Sequence, residues 1–219
     1  ADRIQELLKA DRQDPPFVGI LSNGTSGNVN NINYGGKPEK HGPYEKMKIV
    51  SDDLAREVFR VHNATEFHDW VPLGAAHSEL ALKIRKPDTE MLTYTKNAVN
   101  RPDKRVGPHG SEKFYQERAL KMVEWPEYVN VILQTFKIGD LGVAAIPFET
   151  FAETGLEIKG KSPFKTTFTI ELANGGYGYL PTPEQHELGG YETWISINRV
   201  EKDASVKIVA KLLEMFAGI

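Results

Sequence analysis

Three segments of the sequence carry the residue types that could do chemistry. The first is a loop rich in Gly and Asn at residues 22–31, the second is Glu149, and the third is the Tyr- and Gly-rich segment 174–192. Each directly follows a run of apolar residues that predicts a buried strand. Because a sheet holds the loops at its strand ends rigidly, α/β folds place their sites there. The three loops could therefore converge on one cleft.

The first loop allows two interpretations. Gly24 and Gly27 would let the backbone approach a phosphate closely, but the loop lacks the Lys and the spacing of a P-loop. Alternatively, the loop is a structural turn in which Asn side chains satisfy backbone groups. The spacing alone favours the structural turn.

Glu149 and the third loop also have two interpretations each. Glu149 would favour the dipole of a helix that it starts, or it would serve as a metal ligand or general base. The aromatic residues of the third loop would pack inward as in an Ω-loop, or line a substrate pocket where hydroxyls donate to an oxyanion; they are Tyr177, Tyr179, His186, Tyr191 and Trp194. The residues themselves leave both questions open.

The histidine and cysteine counts restrict metal binding. The sequence has no Cys, so a metal would be held by His, carboxylate, Tyr or amide oxygen. The six histidines are His41, His62, His68, His77, His109 and His186. No two of them have the spacing of a helical zinc pair, so ordinary surface or capping roles are expected for them.

Composition excludes several classes of protein. The 219 residues are 40% hydrophobic, which is enough for a core and excludes global disorder. A net charge of −3, without a basic run, argues against nucleic acid as a partner. No apolar stretch is long enough for a transmembrane segment, and the length fits one domain.

Hydrophobic periodicity predicts the elements that position these loops. The predicted helices are 2–12 (stopped by Pro15 and Pro16), 43–62, 88–99, 111–124, 150–158 and 203–217. The predicted strands are 17–21, 70–73, 78–84, 129–138, 141–146 and 166–172. Helices 88–99 and 111–124 are expected to form a solvated hairpin around a loop that contains Pro102, Gly107, Pro108 and Gly110. The mixed order predicts an α/β fold with a mixed, partly antiparallel sheet packed with helices in layers.

The three loops also carry motifs of one known family. Residues 17–31 (FVGILSNGTSGNVNN) are similar to a strand followed by Gly-Asp-Val-Ser-Pro-Asn, and residues 146–150 (IPFET) to Pro-Gly-Glu-Phe-Thr. Residues 174–192 (NGGYGYLPTPEQHELGGYE) are similar to Tyr-x-x-Thr-x-Glu-Glu-Tyr-x-x-Gln-x-Tyr-Glu. With these motifs in order, the sequence resembles the neutral, non-lysosomal ceramidase family.

The resemblance implies a function and a set of site residues. In that family a zinc ion held by two His, one Glu and one Tyr activates water to attack the amide of an N-acyl lipid. By motif position, Glu149 and Tyr179 correspond to the Glu and Tyr ligands, and Tyr191 to the Tyr that helps bind the scissile amide. The resemblance further implies a lipid-like amide substrate and a secreted or periplasmic location.

Two departures from the family pattern qualify this expectation. The family's two His ligands lie upstream of the first motif, so residues 1–219 are expected to form a single unit equivalent to the C-terminal half of the catalytic domain. The missing N-terminal half would then supply the two His ligands.

Asn30 stands at the family's catalytic Ser, and Asn28 at the Asp before it; both are expected to line the cleft. Hydrolysis of a related amide or ester is therefore one hypothesis, and a catalytically silent member that binds lipid or glycan, or serves assembly, is the other.

Overall fold

The computed structural model of the chain describes residues 1–10, 17–37, 39–101 and 112–219. Contacts within the chain divide these residues into two compact units. The first unit contains Ala1–Ser22 and Asn30–Val71, and the second contains Asn23–Val29 and Pro72–Ile219. The assignment of both units to one domain stays a prediction.

The first unit contains two helices, α1 (Asp2–Leu7) and α2 (Glu45–Ala64). The α2 prediction is confirmed to within two residues at each end. Arg3 of α1 donates to the Asp52 carboxylate of α2 at 2.7 Å. The helix predicted to reach residue 12 ends at Leu7, and Lys9 has a left-handed φ of 53°. Pro15 and Pro16, which were expected to stop it, lie outside the described residues.

The predicted buried strand at residues 17–21 is wrong. These residues form no strand, and Val18, Ile20 and Leu21 are 71%, 87% and 73% exposed. An apolar run becomes a buried strand only when a neighbouring strand completes its hydrogen bonds, and none of the described residues pairs with this segment. The segment therefore leaves its apolar side chains exposed.

The second unit contains a four-stranded sheet with helices and a two-stranded ribbon. Its strands are β1 (Leu73–Lys83), β2 (Tyr128–Ile138), β3 (Leu141–Ile146), β4 (Glu149–Thr150), β5 (Thr166–Glu171) and β6 (Tyr179–Leu180). Its helices are α3 (Thr89–Asn100), α4 (Glu112–Met122), α5 (Ala152–Lys161), α6 (Pro183–Leu188) and α7 (Ala204–Ala217), with one 3₁₀ turn at Tyr191–Thr193.

The main sheet has the order β1-β2-β3-β5. The first three strands are antiparallel, and β5 lies parallel to β3, so the predicted mixed α/β class is confirmed. The predicted β2–β3 hairpin is confirmed, with Gly139 at a positive φ of 59° in its turn. The two strand segments predicted at 70–73 and 78–84 form one strand, β1, which begins at Leu73.

The core lies between this sheet and helices α5 and α7. The apolar spacing of α7 puts Ile208, Leu212 and Phe216 on one face, where they are buried against the sheet. Leu133 of β2 and Ile146 of β3 lie in the same cluster. The strand β3 that leads to Glu149 is thus anchored in the core.

Helices α3 and α4 pack against each other, as the predicted hairpin requires, and most of α3 is exposed. Thr95 donates to the Gln116 side chain at 2.7 Å in a buried contact, and Ala98 and Ala119 are fully buried. The predicted connecting loop, with Pro102, Gly107, Pro108 and Gly110, lies outside the described residues.

The helix predicted at 150–158 is displaced toward the C-terminus. Helix α5 begins at Ala152 and ends at Lys161, and Glu149 lies before it in the short strand β4. None of the helices that the structure describes combines the length and the apolar character needed to cross a membrane.

Candidate functional site

Strands β4 and β6 bring the second and third loops together. They pair in parallel, with Glu149 opposite Tyr179 and Thr150 opposite Leu180. The backbone N–H of Glu149 donates to the Gly178 carbonyl at 3.0 Å. Since opposed residues of paired strands share one face, the Glu149 and Tyr179 side chains share one cleft. The interpretation of Glu149 as the first residue of a helix is therefore wrong.

The cleft has a volume of about 260 Å³. The residues that line it are Tyr115, Arg118, Glu149, Gly178, Tyr179, Tyr191, Ser196, Ile197 and Arg199. The hydroxyls of Tyr179 and Tyr191 lie 3.0 Å apart, and their rings meet edge to face. Glu149, Tyr179 and Tyr191, three residues selected from the sequence, therefore lie together.

The other aromatic residues of the third loop have structural positions. Tyr177 packs on Phe148 with ring centroids 5.6 Å apart, beside the core. His186 is buried in α6, where burial and the positive charges of Arg85 and Lys202 lower its pKa to about 4. The loop thus combines inward packing with a polar cleft wall.

Electrostatics keep the Tyr179 phenol protonated. Burial raises its pKa above the usual range, and the Tyr191 hydroxyl and the Glu149 carboxylate raise it further. A protonated phenol is a hydrogen-bond donor. In the absence of a metal, Tyr179 can therefore donate to an anionic or carbonyl oxygen at neutral pH.

A second carboxylate, that of Glu171, holds β4 in place. Glu171 is 7% exposed and accepts from the Thr150 N–H at 2.8 Å and the Ser26 hydroxyl at 2.6 Å. The Gly27 N–H donates to the Thr150 carbonyl, and a Cβ on Gly27 would lie 2.5 Å from the Glu149 carbonyl oxygen. The first loop therefore supports the strand that carries Glu149.

The β6 side of the cleft has its own supports. Asn198 is almost fully buried and donates to the Tyr179 carbonyl at 3.1 Å, while its amide oxygen accepts from Arg85 at 2.7 Å. Gly178 has a φ of +87°, and a Cβ there would lie 2.1 Å from the Ile197 carbonyl oxygen. No sequence pattern predicted the roles of Glu171, Asn198 and Arg85. The one available signal was at Glu171, a carboxylate at the end of an apolar strand.

The two asparagines have local structural partners. Asn28 accepts from the Ala152 N–H and donates to Glu153, both at 2.8 Å, so it caps α5. Asn30 lies in the first unit, where its side chain accepts from the Ile32 N–H at 3.2 Å. These bonds agree with the structural-turn interpretation. Catalytic roles for Asn28 and Asn30 stay predictions.

The donor set fits part of a zinc site. Catalytic zinc takes three protein ligands and a water, and Glu and Tyr oxygens are suitable ligands. Glu149 and Tyr179 supply two such oxygens in one cleft. Within the described ranges, no group of three or more His, Cys, Asp or Glu could complete the set. These residues alone therefore do not form a full zinc site.

Comparison with known proteins defines the fold. No protein-family model and no curated protein sequence matches the chain. The crystal structure of neutral ceramidase from Pseudomonas aeruginosa aligns with 99% of the chain, with a TM-score of 0.61 and 13% identity. A structure of a ceramidase complexed with C2 aligns with 41% of this chain and 15% of its own, at 18% identity and a TM-score of 0.38.

The first of these alignments covers 40% of the neutral ceramidase chain, so this chain spans less than half of that protein's length. The fold of the chain is that of part of a ceramidase, as the sequence resemblance implied.

Proposed function

We propose that this chain, whose fold is that of part of a ceramidase, belongs to a zinc-dependent hydrolase of N-acyl lipids or related amides and esters. Glu149 and Tyr179 are two of the zinc ligands, and Tyr191 binds the scissile carbonyl. The remaining ligands, two His, come from outside the described residues. The protein acts in a secreted or periplasmic location.

The observation that carries this proposal is the register of β4 and β6. It places Glu149 opposite Tyr179, although the two residues lie 30 positions apart in the sequence. The sequence motifs select the same two residues as ligands. The register therefore supports the proposal that Glu149 and Tyr179 act as a pair of oxygen ligands.

The chain's own residues have defined tasks in this reaction. Tyr191, with its hydroxyl 3.0 Å from that of Tyr179, is placed to donate a hydrogen bond to the carbonyl oxygen as negative charge develops there. Glu171 and Asn198 act as positioning residues, because they hold the backbones of β4 and β6. Zinc, when bound, lowers the pKa of a coordinated water and polarises the carbonyl.

The bonding of Asn28 supports a second candidate. Its amide oxygen accepts from the Ala152 N–H and its amide nitrogen donates to Glu153, both at the start of α5. Asn28 therefore cannot shuttle a proton while it caps the helix. A catalytically silent member would keep the cleft, bind a lipid or glycan there, or serve assembly. Ligand binding without turnover would identify this candidate.

Hydrolysis by the full gene product tests the proposal. Fatty-acid release is measured with N-dodecanoylsphingosine, N-dodecanoylglycine and an ester analogue. We expect turnover of at least one substrate and a fall in kcat of about 100-fold in Tyr191→Phe, since it removes an oxyanion donor. Tyr177→Phe removes the same hydroxyl from a ring that packs on Phe148, so we expect its kcat to be unchanged.

Turnover that is equal in wild type and Tyr191→Phe would refute the role of Tyr191. Absence of turnover with all three substrates, accompanied by saturable binding, would replace the hydrolase with the silent binding protein.

A further inference from the structure

Two arginines of the cleft wall form no ion pair with any carboxylate that the structure describes. Arg118 and Arg199 both line the cleft with Glu149. Among the described residues, neither guanidinium has a carboxylate oxygen within 4.0 Å. The Nε of Arg199 is buried without a hydrogen-bond partner in the described part of the chain, and its Nη1 makes one long bond, 3.4 Å, to the Gly176 carbonyl. The cleft therefore offers unused donors.

Other arginines show how this chain normally satisfies a guanidinium. Arg3 and Arg60 pair with carboxylates at 2.6–2.8 Å on the surface. Arg85 is buried, but it donates to the Asn198 side chain at 2.7 Å and the Thr193 carbonyl at 2.8 Å. Arginines with a structural role in this chain thus donate short hydrogen bonds to protein acceptors. Arg199 donates only one long hydrogen bond to the residues that the structure describes.

The charges of the cleft favour an anion. Burial lowers the pKa of Arg199, repulsion from Arg118 lowers it further, and Glu149 offsets part of this effect. Among the charged residues lining the cleft there are two cations and one anion. If Glu149 binds a metal ion, no other carboxylate among the residues that line the cleft remains to balance the charges of Arg118 and Arg199.

We propose that Arg118 and Arg199 bind an oxyanion of the substrate, so that the molecule hydrolysed is an N-acyl compound carrying a carboxylate, sulfonate or phosphate. This inference rests on the proposed function in placing the acyl amide in the same cleft. The planar fork of a guanidinium matches such groups bidentately and supplies charge-assisted hydrogen bonds. The buried Nε of Arg199 is the donor that such a fork would use.

Binding in the absence of metal tests this inference separately from hydrolysis. Titration calorimetry with the full gene product in EDTA compares N-hexanoylglycine with neutral N-hexanoylethanolamine. We expect the glycine compound to bind at least 10-fold more tightly. N-hexanoyltaurine and N-hexanoyl phosphoethanolamine then show which oxyanion is preferred.

Substitutions locate the preference. Arg199→Gln and Arg118→Gln are each expected to reduce the preference for the anionic compound to less than threefold. Arg199→Lys keeps the charge but loses the guanidinium fork, so it is expected to retain part of the preference. Arg56→Gln is the matched control, because Arg56 lies exposed in the first unit. Circular dichroism confirms that each variant is folded.

Equal affinity for neutral and anionic compounds, no saturable binding of either, or an undiminished preference in both Gln variants would overturn the inference. A protein that discriminates between the compounds but holds no zinc would support the inference and refute the proposed function. A protein that hydrolyses neutral and anionic amides equally would support the proposed function and refute the inference.

Discussion

Glu171 shows how a single side chain controls the geometry of the cleft without facing it. Its carboxylate accepts from the backbone N–H of Thr150 and from the hydroxyl of Ser26, a residue 145 positions away in the sequence. Because the carboxylate is buried, these hydrogen bonds are poorly replaced by water. The placement of Glu149, next to Thr150, depends on them.

Glu171→Gln is expected to lower the free energy of unfolding by about 2 kcal/mol, since its amide nitrogen cannot accept from these donors and hydrogen bonds to charged groups are the stronger ones. Urea denaturation measures the change. Glu157→Gln, which removes only an exposed pair with Lys161, is the control and is expected to change stability by less than about 0.5 kcal/mol. Equal effects of the two substitutions would contradict this account of Glu171.

His186 predicts a pH dependence of stability. Its pKa falls from 6.5 to about 4 on folding, first because burial disfavours the charged form and then because Arg85 and Lys202 repel it. Between these values the unfolded chain binds more protons than the folded one, so stability falls as pH drops from 6.5 toward 4. Above pH 6.5 this contribution is constant.

We therefore expect His186→Phe to flatten the pH dependence of the unfolding free energy between pH 6.5 and 4. Denaturation at pH 7.5, 6, 5 and 4.5 measures it, with the exposed residue His77 changed to Gln as the control. If the unfolding free energies of wild type, His186→Phe and His77→Gln all changed with pH in the same way, His186 would not cause the pH dependence.

At the scale of elements, helix α5 is fitted against the first loop. A Cβ on Gly155 would lie 1.9 Å from the Thr25 hydroxyl oxygen, whereas a Cβ on Gly160 of the same helix would meet nothing within 4 Å. The contact at Gly155 therefore requires glycine, and the position at Gly160 does not.

Gly155→Ala is expected to destabilise the protein by about 1–3 kcal/mol, because the added methyl overpacks the contact with Thr25. Gly160→Ala is expected to stabilise it by about 0.5–1 kcal/mol through helix propensity. Thermal unfolding of the two variants measures both effects. Stabilisation by both substitutions would show that α5 and Thr25 are not packed closely.

The longer helices and strands could be predicted from the local pattern of apolar residues. The short strands β4 and β6, which carry the cleft residues, could not. The β2–β3 hairpin follows from two apolar runs around a two-residue turn, and helices α2 and α7 follow from helical spacing of their apolar residues. Strands β4 and β6 have two residues each, too few for any period, so neither was predicted and one interpretation placed Glu149 at the start of a helix. Their positions after apolar runs made Glu149, Tyr179 and Tyr191 candidates, and the motif resemblance then assigned a role to each.

The failed and missed predictions concern long-range partners. Residues 17–21 have the composition of a buried strand, but composition does not reveal whether a pairing strand exists. Asn198 and Arg85 act on the cleft through contacts 19 and 113 positions apart in sequence. The partners of Asn28 are equally distant, since it accepts from the Ala152 N–H 124 positions along the chain.

At the scale of the whole molecule, a complete metal site would need more than the described residues. The chain spans 40% of the neutral ceramidase to which its fold is similar, and only two of its described residues, Glu149 and Tyr179, are proposed as ligands. The central claim is that this pair holds zinc in the full gene product.

Zinc content by mass spectrometry tests that claim most directly. We expect about one zinc per wild-type chain, near-complete loss in Glu149→Ala, partial loss in Tyr179→Phe and full retention in the surface control Glu157→Ala. Dialysis of every sample against the same zinc buffer makes the contents comparable. Equal zinc in wild type and Glu149→Ala, or no zinc in the folded wild type, would contradict the assignment of Glu149 as a ligand.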